Sequence, residues 1–133
     1  MRLTKFELEV MDALWELGSG SVREILDRLP EGKRPAYTTV QTIVHRLEEK
    51  GAVRRAKKVG NAFVFEPTVT RKAAHRRLVD EFLELFGGSA RPLLAQLIES
   101  RKLTLEDLRE IEGTLAELES SGDEPVGGKR AKR

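Results

Sequence analysis

The sequence predicts a mainly α protein with one small β-hairpin: a winged helix-turn-helix domain followed by a helical dimerisation domain. Three observations carry that expectation. Through the first fifty positions apolar residues recur at three- and four-residue spacing, in three short blocks that each stop at glycine or proline. Two runs with valine, the second also with phenylalanine, then flank Gly60-Asn61. After Pro67 a second helical pattern begins, with no strand signal in it.

The first helix opens with Thr4 and Glu7, a T-x-x-E capping box in which each side chain satisfies a backbone N–H at the helix start. Behind it Phe6, Val10, Leu14 and Leu17 form one face, widened by Met11 and Trp15, and Gly18 and Gly20 end it. Ser21 and Glu24 make a second box. Val22, Ile25, Leu26 and Leu29 line a short second helix stopped before Pro30, and "PEGKRP" is a turn. The third helix is expected to open near Thr38 with Gln41 as its capping-box partner. Val40, Ile43, Val44 and Leu47 face inward, and Gly51 supplies the stop. "AVRRAKK" and "NAFVFEP" read as strands joined through Val59-Gly60-Asn61, where Gly60 and Asn61 both tolerate the positive φ of a hairpin tip.

Beyond Pro67, a fourth helix is expected from about Thr70 to Phe86, with Ala74, Leu78, Phe82 and Leu85 on one face and Val79, Leu83 and Phe86 beside them. Gly87-Gly88 breaks it. Ser89 caps a fifth helix with Leu93, Leu94, Leu97 and Ile98 inside. Thr104 and Asp107 start a sixth, whose Leu108, Ile111, Leu115 and Leu118 step like an a/d seam. Gly113 weakens that helix by about 1 kcal/mol relative to alanine. The expected organisation is a winged domain over 1–69, three dimerisation helices over 70–119 and a disordered basic tail over 120–133. Some fifty residues with several apolar faces bury poorly alone. A second copy is expected to cover Leu78, Phe82, Leu85, Leu94, Leu97, Leu108, Ile111, Leu115 and Leu118; folding back on the amino-terminal domain is the alternative.

The chain has 133 residues, 39% of them hydrophobic, enough for a core, but only 5% aromatic, so leucine and valine must do most of the packing. Without cysteine there are no disulfides, thiolate metal sites or cysteine nucleophiles, which suits a reducing cytoplasm. No run approaches the ~18 apolar residues of a membrane helix. The start, "MRLTKFELEVMD", is acidic and amphipathic rather than a signal peptide. A cytoplasmic protein with no direct membrane binding is expected.

The net charge of +2 hides a strong asymmetry. Residues 1–32 carry −3, residues 33–77 carry +9, residues 78–122 carry −6 and the last eleven carry +2. A cationic block bounded by acidic segments is the footprint of a polyanion-binding surface. The third helix lies inside that block, and its outer face holds Thr39, Gln41, Thr42, His45 and Arg46 where lysine and glutamate would favour helix formation more. Short side chains let a backbone approach base edges in a major groove. Glutamine can bond adenine bidentately, a threonine methyl can touch the thymine methyl, and His45 or Arg46 can reach guanine or a phosphate. Phosphate contacts are expected from Lys33, Arg34, Tyr37, Thr38, Lys50, Arg54, Lys57, Lys58 and Asn61, which would fix orientation without reading sequence. Arg54 and Arg55 alternate across their strand, so at most one of them touches DNA well.

Enzyme chemistry finds little support. His45 and His75 stand thirty residues apart with no carboxylate cluster at metal-ligand spacing, and there is no Gly-rich phosphate loop or nucleophile elbow. No cofactor or metal is called for. Three stretches, "LTKFELEVMDALWELGSGSVREILDRL", "YTTVQTIVHRLEEKGAVRRAKKVGNAFVFEP" and "FLELFGGSARPLLAQLIESRKLTLEDLREIEGTL", strongly resemble the BlaI/MecI family of penicillinase repressors over about residues 3 to 118. The resemblance implies a homodimeric bacterial repressor of a palindromic operator, dimerised through its C-terminal helices. In family members that control β-lactam resistance it further implies a membrane sensor-protease as partner. The cleaved bond there is typically Asn-Phe, and by position it falls on Gln96-Leu97 here. A non-specific architectural DNA binder and a winged-helix protein–protein adaptor are the alternative readings.

Overall fold

The computed structural model of the chain describes residues 2–122, apart from the side chain of Lys33. The order is α1 (Lys5–Leu17), α2 (Val22–Arg28), a 3-10 turn (Glu31–Lys33), α3 (Tyr37–Glu49), β1 (Val53–Val59), β2 (Ala62–Pro67), α4 (Arg71–Glu84), α5 (Ala90–Glu99) and α6 (Leu105–Ser120). The tail expected to be disordered falls, from residue 123 on, outside the described residues. Two compact units divide after Val79.

In the first unit, reciprocal capping boxes start both α1, through Thr4 and Glu7, and α2, through Ser21 and Glu24. Their apolar faces meet α3 in one core: Val10, Met11, Leu14, Ile25, Val40, Val44 and Leu47 are buried, with Phe6, Trp15 and Leu17 packed at its edge. The start of α3 departs from expectation. Ala36, extended after Pro35, is its N-cap and has no side-chain acceptor, so the helix begins at Tyr37 and no Thr38–Gln41 capping box forms. Thr38 sits one residue inside the helix, where its carbonyl accepts a bond from Thr42 Oγ1 at 3.0 Å.

β1 and β2 pair antiparallel from Val53↔Pro67 to Val59↔Ala62, with a bulge between Arg55 and Lys57. Only Gly60 takes a positive φ at the tip, 61°, as at the first central position of a type II′ turn; Asn61 does not. Gly20 and Phe65 exchange backbone hydrogen bonds of 2.9 and 2.8 Å, so the α1–α2 loop flanks β2 as a third, one-residue strand. That bridge fixes the root of the hairpin to the helical core. Trp15 fastens the next element: its Nε1 donates to Val69 O at 2.9 Å, and its ring meets His75 edge-on and lies beneath Arg71.

In the second unit, Ser89 caps α5, and Thr104 with Asp107 forms a reciprocal box on α6. Phe82 and Phe86 meet with their rings tilted by 57°, 5.3 Å between centroids. No residue of α5 or α6 is buried. Leu93 and Leu97 are half-buried, whereas Leu94 and Ile98, expected inside, are exposed in the single chain.

Candidate nucleic-acid interface

Helix α3 is anchored by Val40, Ile43, Val44 and Leu47, all buried. At 3.6 residues per turn this places Thr39, Gln41, Thr42, His45 and Arg46 on the opposite side, and all five are exposed. Among the described residues, the side chains of Thr39, Gln41 and Arg46 have no hydrogen bond or ion pair within the protein. Thr42 donates its hydroxyl to the preceding turn. His45 Nδ1 lies 3.8 Å from Glu48 Oε1, and the other Glu48 oxygen forms an ion pair with Arg55, 3.0 Å from its Nε. Glu48 thus ties the outer face of α3 to the wing. Glu49 is exposed on the same outer side, four residues past His45.

The cationic flank divides into two groups that a charge count could not separate. Lys57, Lys58 and Asn61 stand exposed on the wing. The aromatic face of Phe63 carries Arg55 at 4.2 Å and Lys58 at 5.3 Å. Tyr37 opens α3, exposed, with the Arg23 guanidinium 4.9 Å above its ring. Arg23 had no place among the sequence candidates because it belongs to the acidic first thirty-two residues.

Three expected phosphate ligands are also engaged by acceptors within the protein. Lys50 Nζ donates to Glu7 Oε1 at 2.6 Å and to Arg2 O at 2.7 Å. Arg34 donates to the carbonyls of Asp27 and Leu29, satisfying the open end of α2. Arg54 pairs with Glu66 on the neighbouring strand. Each acceptor restrains its cation, although all three residues remain exposed. Lys33 belongs to the 3-10 turn, and its side chain lies outside the described residues.

Glu7 is buried on the inner side of α1. Burial alone would raise its carboxyl pKa, but the hydrogen bond and charge of Lys50, with the bonds from Thr4, outweigh that and hold it below its ordinary value. Among the described residues no group of His, Asp or Glu could hold a metal ion, and no helix is long and apolar enough to cross a membrane.

A three-helix core, a hairpin wing and an outward polar face on the third helix define a winged-helix DNA-binding protein. The chain belongs to the penicillinase repressor family, a family of transcriptional repressors: the family's model matches residues 3–117. A penicillinase repressor of Bacillus licheniformis is 27% identical over 117 residues, which span 87% of this chain and 91% of that protein. One from Staphylococcus aureus is 22% identical over 119 residues, 89% and 94% of the two chains. The solution structure of the DNA-binding domain of the repressor BlaI superposes with a TM-score of 0.47 at 31% identity, covering 53% of this chain and 84% of that one.

Proposed function

We propose that two copies of the chain bind a palindromic operator, each setting α3 in the major groove of one half-site, and repress by occupying the promoter. The observation that carries this reading is the outer face of α3, where Thr39, Gln41 and Arg46 stand exposed without protein partners beside a cationic wing. A helix with no need of a ligand would close such groups on one another or present lysine and glutamate to water. Thr39, Gln41, Thr42, His45 and Arg46 read bases; Tyr37, Thr38, Lys57, Lys58 and Asn61 meet phosphates.

The second copy is supported by the apolar surface of the C-terminal unit. Phe82, Leu85, Leu94, Leu108, Ile111, Leu115 and Leu118 remain between 38% and 77% exposed, more apolar surface than a monomer keeps in water without a partner. For the target, the relatives named penicillinase repressors make a β-lactam-resistance gene the first promoter to test. An inducing sensor-protease acting on Gln96-Leu97 would need α5 unwound first, because Gln96 O accepts bonds from both the backbone N–H and the hydroxyl of Ser100. The test of the whole reading is selection of fragmented genomic DNA by the full chain, followed by footprinting. An inverted repeat shared by the bound fragments is expected; equal protection of every sequence would replace it with the architectural reading.

A further inference from the structure

Six arginines lie between residues 20 and 66, and four of them are held by protein acceptors. Arg28 pairs with Glu16, Arg34 with the end of α2, Arg54 with Glu66 and Arg55 with Glu48. Arg46 belongs to the reading face of α3. That leaves Arg23, the second residue of α2, which is exposed. Two carboxylates lie near it in sequence, and neither takes it up. Glu24 is engaged with the backbone N–H of Ser21, and Asp27, one turn along, makes no ion pair with it. The contact Arg23 does make is with the ring of Tyr37, 4.9 Å from guanidinium carbon to centroid.

We propose that Arg23 and Tyr37 form a phosphate clamp, in which the tyrosine ring at the start of α3 holds the Arg23 guanidinium ready for a DNA backbone oxygen. The inference rests on the reading of α3 as the groove helix. A groove is walled by phosphates, so a cation fixed beside the first residue of the inserted helix meets the strand that the helix passes. A contact with the ring takes up none of the guanidinium's N–H donors, which stay available in the fork geometry that suits phosphate. The ring also restricts a side chain that would otherwise lose rotamer freedom on binding, which makes the contact tighter than one from a loose surface arginine. A role confined to joining α2 to α3 would place no demand on the open edge.

The experiment titrates a labelled duplex, selected by the wild-type chain from genomic fragments, against the full-length protein across a range of salt. Arg23→Ala is expected to flatten the slope of log K against log salt by about 0.9 per protomer, and to weaken binding about fivefold per protomer at 0.15 M salt. Arg23→Gln, which keeps a polar side chain without the charge, should give the same change in slope if alanine impairs folding. Tyr37→Leu should weaken binding, and the double variant should lose less than the sum of the two, since the ring acts in part through the arginine. An unchanged slope in both Arg23 variants overturns the clamp while leaving the groove reading intact, and strict additivity overturns the pairing. A wild-type chain whose binding is weak and indifferent to salt would instead remove the groove reading itself.

Discussion

Lys50 Nζ lies 2.6 Å from Glu7 Oε1, which joins the C-terminal end of α3 to the first turn of α1. The same carboxylate oxygen accepts from the Thr4 backbone at 2.8 Å, so a helix cap and an inter-helix ion pair converge on one atom. The placement of α3 therefore depends on a residue 43 positions away in sequence.

Removing one partner tests that dependence. Lys50→Ala leaves the Glu7 carboxylate buried and unpaired, and a loss of about 3 kcal/mol in denaturant unfolding is expected. Glu7→Gln keeps the cap acceptor and should cost less. Folding lowers the Glu7 pKa, so the pair stabilises the protein above the ordinary carboxylate value of 4.5 and its contribution disappears as pH falls through the lowered one. The stability gap between wild type and Glu7→Gln should accordingly narrow on acidification below about pH 4.5. A gap of constant size from pH 7 to pH 3 would assign the effect to packing instead.

The division of the cations gives a second prediction. Lys57→Ala and Lys58→Ala should each reduce the salt slope of DNA binding by about 0.9 per protomer with little effect on stability. Arg34→Ala and Lys50→Ala should do the reverse, lowering the unfolding midpoint while leaving the slope near wild type. Slope changes of equal size in all four variants would mean that the protein contacts of Arg34 and Lys50 open on the duplex.

These two groups also mark where the sequence could be read and where it could not. The capping boxes at Thr4, Ser21 and Thr104, and the core faces of α1, α2 and α3, follow from spacings of three and four residues, which are local. The partners of Lys50 and Arg54 lie 43 and 12 positions away, and those of Arg34 are backbone carbonyls, so no local pattern marks those side chains as already partnered. The Thr38–Gln41 pattern misled for the opposite reason: it fits a capping box, but Ala36 after Pro35 already starts the helix. The bulge in β1 and the Gly20–Phe65 bridge are products of packing between segments and had no signature of their own. Arg23 was hidden by the acidic average of its neighbours.

The hydroxyl of Thr42 is engaged with Thr38 O, which leaves its methyl group as the part free to meet a base. If that methyl reads thymine, Thr42→Val should keep most operator affinity, whereas Thr42→Ser should lose it selectively at the contacted base pair. Gln41→Ala should cost about 1–3 kcal/mol of discrimination at one position, seen as relaxed preference there and unchanged preference elsewhere. Binding of all substituted operators reduced by the same factor would argue against base reading by either residue.

The seam of α6 provides the last prediction. Leu108, Ile111, Leu115 and Leu118 are each at least 38% exposed, and no residue of this helix is buried. Leu108→Asp places a charge at the N-terminal end of that stripe, which is costly only if the stripe is covered. In the proposed dimer it should therefore yield monomers in sedimentation and abolish tight operator binding, while the amino-terminal unit, whose core is separate, retains its unfolding midpoint. Gly113 supplies the matching control. A Cβ at this position meets nothing within 4 Å, so Gly113→Ala should strengthen the helix by up to about 1 kcal/mol without weakening association. A Leu108→Asp variant with the sedimentation coefficient and DNA affinity of the wild type would show that these leucines face water in the working protein, and would move the dimer contact elsewhere.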